Sequence, residues 1–92
     1  MAVKKTAPGA EPLYNMSVAA RLCGLPAYTI RWVEKNGLLA PSRTGGNQRL
    51  FSDRDIALLR EIAALLRRSV NLEGVRVVLE IRGYGVFRRP RR

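Results

Sequence analysis

Ninety-two residues make one domain, near the lower end of what folds without staples. At 47% hydrophobic the chain can build one modest core, and with a lone Cys23 and no His it excludes an internal disulfide, a zinc site and a Cys–His catalytic pair. Seventeen Lys and Arg against seven Asp and Glu give +10, and most of the cations are Arg, whose planar fork suits phosphate and guanine edges, so a polyanion is the expected partner, DNA or RNA before membrane.

The start, with Lys4 and Lys5 but no apolar stretch behind them, reads as a disordered tail over 1–13 and as neither a signal peptide nor a membrane span. A reduced cytosolic setting fits a small domain without disulfides. Ser17 is placed to N-cap a first short helix, Val18 to Cys23, which Gly24 ends. Pro26 suits the first turn of a second helix that runs to Lys35 and stops at Asn36-Gly37, with Leu38 and Leu39 following as buried anchors. Residues 41–52 then hold Gly45 and Gly46 between Arg43 and Arg49, a glycine-tipped hairpin with strands around 41–44 and 48–51.

Ser52 and Asp55 have the spacing of a capping box. The third helix they open runs from Asp53 to about Arg68, with Ile56, Leu59, Ile62, Ala63 and Leu66 on one face. Asn71 caps a fourth helix, Leu72 to about Arg82, whose Leu72, Val75, Val78 and Leu79 share a face. Gly83 and Gly85 break the pattern, leaving a basic tail over 83–92. The expected fold is mostly α: a winged helix-turn-helix over 14–82, four helices with a two-stranded β-hairpin wing between the second and third.

Residues 17–35 are the most informative. A helix-turn-helix needs a small residue where its second helix crosses the first, a Gly in the turn and apolar residues on the inner face of the second helix. Ala20, Gly24, Ile30 and Val33 have that spacing, with Leu22 and Leu25 completing the small core, although structural helical hairpins share it. With Ile30 and Val33 inward, the helical period turns Ala27, Tyr28, Arg31, Trp32 and Lys35 outward. Such a face suits the major groove, with Arg31 on a base edge or phosphate and Tyr28 and Trp32 on sugar and backbone. A lone Trp also fits a half-buried core position, and the sequence leaves both open. Arg43 and Arg49 flank the wing tip, where Thr44 and Asn47 complete the candidate contacts, and Ser17 is the candidate phosphate contact at the start of the first helix.

The run "TIRWVEKNGLLAPSRTGGNQRLFSDRDIALLREI" resembles the MerR family of bacterial regulators, whose motif is similar to T-I-R-x-x-E-x-x-G-L-L-x-P-x-R-x-x-x-x-x-R-x-Y followed by D-I-x-x-L. "SVAARLCGL", "VNLEGVRVVLEI" and the closing "VFRRPRR" look most like its heat-shock repressor (HspR) branch. The resemblance implies a winged helix whose second helix enters the major groove, with DNA roles for Tyr28, Thr29, Arg31, Trp32, Arg43 and Arg49. It implies a bacterial cytoplasmic regulator on the nucleoid, binding double-stranded operator DNA with repeated half-sites and repressing stress or chaperone genes, with a DnaK-type chaperone as co-repressor. Val33 and Gln48 stand where many members have aromatic residues, so the phosphate contacts of those tyrosines do not carry over, and Phe51 keeps the packing of the usual Tyr without its hydroxyl.

Typical members continue into a long dimerising helix, and Gly83, Gly85 and Pro90 are incompatible with one here. A monomer that self-associates on DNA is therefore expected, either head-to-tail on direct repeats, to which the missing helix leans, or two-fold on an inverted repeat, which the resemblance favours. Arg88, Arg89, Arg91 and Arg92 of the tail would add non-specific DNA affinity. An excisionase-like architectural protein is the alternative of the same fold, and a ribosome-associated basic module a more distant one. No catalytic constellation, cofactor or metal is expected.

Overall fold

The computed structural model describes residues 9–68 and 71–83. Four helices are present, α1 (Met16–Cys23), α2 (Ala27–Lys35), α3 (Asp53–Arg67) and α4 (Leu72–Ile81), with strands β1 (Ser42–Arg43) and β2 (Arg49–Leu50) between α2 and α3. The expected mostly helical architecture with a hairpin after the second helix is what forms.

The cap of α1 is Asn15, not Ser17. Asn15 is extended and its side-chain oxygen accepts the Val18 N–H at 2.9 Å, while Ser17 lies exposed in the first turn. Asn caps as well as Ser, and starting the helix earlier brings Met16 against the core. Gly24, at φ 78°, closes α1 by donating its N–H to the Ala20 carbonyl. Pro26 is likewise the cap of α2 rather than part of its first turn, and its carbonyl accepts the N–H groups of Thr29 and Ile30. At the other end Gly37 (φ 80°) donates to the Glu34 carbonyl and Leu38 to that of Val33, a Schellman closure that swings Leu38 and Leu39 into the core.

Ser42 pairs with Leu50 and Arg43 with Arg49, so the wing strands are shorter than expected. The tip is built by Thr44, whose hydroxyl accepts the N–H groups of Gly46 and Gln48, and by Asn47 at φ 69°. Phe51 then exchanges backbone hydrogen bonds with Tyr14 and accepts a further one from Leu13. The Arg54 N–H donates to the Gly9 carbonyl, so residues 9–13, expected as tail, are tied to the fold. Residues 1–8 of that expected tail and 84–92 of the C-terminal one, with Arg88, Arg89, Arg91 and Arg92, lie outside the described residues.

Ser52 and Asp55 form the expected capping box, each side chain accepting the other's backbone N–H. Helix α3 packs against both α1 and α4, which explains why it buries more than its expected face. Leu58 and Leu65 are buried beside Ile56, Leu59, Ile62 and Ala63, whereas Leu66 is only partly so. In α1 the fully buried small residue is Ala19 rather than Ala20, and Leu22, expected in the core, is 38% exposed. On α4, capped by Asn71, Val75 and Leu79 are buried with Val78 against them, leaving Val77 and Ile81 outward; the Leu72 side chain is not among the described ones.

Candidate nucleic-acid interface

Helix α2 divides cleanly. Ile30 and Val33 are buried, and Tyr28, Arg31, Trp32 and Lys35 stand exposed with Ala27 and Thr29 half-buried at their edge. Trp32 is 45% exposed and Tyr28 70%, which places both aromatics outward rather than in the core. With Thr29 and Leu66 they line an open apolar cleft of about 480 Å³.

On the other flank of α2, Arg31 meets the start of α1 and the second arm of the wing. Asn15, Met16, Ser17, Arg31, Asn47, Gln48 and Arg49 line a shared cleft of about 390 Å³. Four expected contacts, Ser17, Arg31, Asn47 and Arg49, are thus brought together although they come from three elements. Two arginines, three carboxamide residues and a serine around one opening make a polar, cationic concavity suited to the edge and backbone of a duplex. Lys35, Thr44 and Arg43 do not line it. The Thr44 hydroxyl is engaged as an acceptor within the turn, and Asn47 has a conformational duty in its left-handed backbone.

Sequence reasoning missed Glu34. Its two carboxylate oxygens are divided between the wing strands, Oε2 accepting from Arg43 Nη2 at 3.1 Å and Oε1 from Arg49 Nε at 2.5 Å. Arg43 Nη1 also donates to the Asn47 carbonyl at 3.1 Å, so both terminal nitrogens of that guanidinium are held within the protein. Glu34 therefore fixes the distance between α2 and the hairpin. The available signal was an acid standing alone in α2 among outward cations, a pattern that asks for a partner.

Two further arginines are drawn to carbonyl groups at helix ends. Arg60 Nε donates to the Leu22 carbonyl at 3.0 Å, and Arg76 Nη2 to the Asn36 carbonyl at 2.8 Å, each cation meeting the negative end of a helix-turn-helix helix. Arg82 pairs with Glu61. Arg60, Arg76 and Arg82 on the α3 and α4 side are thus engaged in holding the fold, whereas Arg31 and Lys35 face outward on α2.

Cys23 is buried, and burial pushes its thiol pKa up, which keeps it in the unreactive protonated form. Among the described residues no cluster of His, Cys, Asp or Glu could hold a metal ion, and no helix is long and apolar enough to cross a membrane.

Residues 14–81 match the family described as MerR HTH family regulatory protein. The chain belongs to the MerR family. It is 42% identical over 71 residues to a heat shock protein HspR of Streptomyces coelicolor, covering 76% of this chain and 47% of the relative. It is 41% identical over 68 residues to the HTH-type transcriptional regulator GlnR of Bacillus anthracis, covering 74% of this chain and 53% of that one. The chain thus spans about half the length of these relatives. Among solved structures it is similar to HiNmlR, a MerR family regulator lacking the sensor domain, bound to promoter DNA, with TM-score 0.68 and 30% identity over 75% of this chain and 53% of that one. These MerR relatives are transcriptional regulators, a DNA-binding family and not enzymes.

Proposed function

We propose that this MerR-family domain regulates transcription by reading double-stranded DNA with the outward face of α2 while α1 and the wing grip the flanking phosphates. The observation that carries this reading is the convergence of Ser17, Arg31 and Arg49 on one cleft beside an exposed aromatic and cationic helix face. Arg31 reads a base edge, Tyr28 and Trp32 pack on sugar and backbone, and the wing supplies register without sequence. Ala27, Thr29 and Lys35 border this face, and the tail arginines add non-specific affinity.

Repression of stress or chaperone genes is the finer reading, supported by the likeness to HspR. The likeness to GlnR is nearly as strong, so both relatives support the DNA-binding role and the first alone points to this gene set. A DnaK-type chaperone as co-repressor and self-association on repeated half-sites complete the proposal. Mapping the sites bound in cells tests it. Binding at chaperone promoters supports the repressor reading, promoters of other genes would reassign the regulon, and footprints confined to recombination attachment sites would replace it by the architectural alternative, which the relatives do not favour.

A further inference from the structure

Arg43 and Arg49 lie directly opposite each other in the two-residue ladder of the wing. Like charges so placed destabilise a hairpin unless something negative stands between them. In the free protein that something is Glu34, whose side chain is 20% exposed and whose two oxygens are shared one to each arginine. On DNA the competing anion is phosphate, so the carboxylate and the duplex contend for the same pair of cations.

We propose that Glu34 is a specificity-determining residue, holding the wing arginines back from phosphate in general and aiming them at one DNA geometry. This rests on the reading that α2 and the wing face DNA. Unselective backbone binding draws on every cation that can release counterions, and it carries no sequence information. An arginine already paired with a carboxylate contributes to that binding only after surrendering its partner. The clamp thereby weakens attachment to arbitrary duplex, and by fixing the wing relative to α2 it favours duplexes on which Arg31 and the wing engage together. Removing the carboxylate while keeping its shape creates a protein that holds DNA more tightly and chooses it less well.

The experiment compares wild type with Glu34→Gln on a random-sequence duplex and on the duplex that wild type selects from a random pool, between 50 and 200 mM salt. Each phosphate gained steepens the slope of log affinity against log salt by about 0.9, which is about 3.5-fold over this range. Glu34→Gln should bind random duplex more tightly at low salt, steepen the slope by about one to two contacts, and lower the selected-to-random ratio. Glu34→Asp, one methylene shorter, should lie between the two and keeps the comparison available if Gln disturbs the fold, as a melting curve would show. In a background lacking both arginines, Arg43→Ala with Arg49→Ala, adding Glu34→Gln should leave the slope unchanged. Weaker binding to both duplexes without a steeper slope would overturn the proposal and make Glu34 a structural strut. An equal steepening without the arginines would overturn it too, leaving only a net-charge effect. If removing the arginines alone leaves the wild-type slope intact, the wing does not meet DNA, and the interface reading itself falls.

Discussion

Ser52 is buried at the point where the wing hands over to α3, and its hydroxyl accepts the Asp55 N–H while its own N–H goes to the Asp55 carboxylate. Ser52→Ala removes one half of this box and should cost about 1 kcal/mol in a denaturant titration. A loss too small to measure would mean that Asp55 alone secures the helix start. Tyr14 illustrates a contact that acts through pH. Its phenol donates to Asp53 at 2.6 Å, and that hydrogen bond to a carboxylate raises its pKa above the ordinary value of 10.0. The folded state therefore favours the protonated phenol. Its contribution is complete below the ordinary pKa and is lost as pH climbs through the raised one. Melting temperature should fall on the alkaline side, and Tyr14→Phe should flatten that fall. An unchanged alkaline profile in the variant would assign the fall to other groups.

At the scale of elements, helix ends and the hydrophobic period were legible because they depend on near neighbours. Gly24, Gly37 and the Ser52–Asp55 box do locally what their spacing suggests. Where two residues could serve equally, as Asn15 and Ser17 at the start of α1, local preference could not choose, and packing of Met16 accompanies the earlier start. Leu58 and Leu65 fall outside the single face that the helical period marks, and they are buried because α3 is covered on two sides. Most of the candidate interface was legible from the two faces of α2, but the engagement of Arg43 and Arg49 by Glu34 was not, since it joins elements across a turn. The wing still has residues on the shared cleft, and Arg49→Ala should lower the salt slope by about one unit on the selected duplex and by less on a random one, where Glu34 competes for the same guanidinium. An unchanged slope on the selected duplex would take Arg49 off the phosphates.

For the whole molecule, charge and shape point the same way. A net charge of +10 supports attachment to any duplex, while on the proposed reading selectivity comes from the small outward face of α2 and the wing aimed beside it. One such face covers about one half-site, too little sequence to single out a regulatory site in a genome. On the proposed reading copies cooperate on DNA, and Val77 and Ile81, 47% and 79% exposed on α4, offer apolar surface for that contact. Sedimentation of the free protein should give one chain, with cooperative titration onto a two-site duplex. A stable free dimer would return the protein to pairing before DNA binding.

On the proposed reading α2 reads sequence through Arg31, and the affinity of Arg31→Ala on the selected duplex against a random one tests it. The variant should lose about 1–3 kcal/mol on the selected duplex and far less on the random one, because base readout is removed while backbone attachment persists. Equal losses on the two would place Arg31 on phosphate, and no loss on either would contradict the assignment of this face as the reading surface.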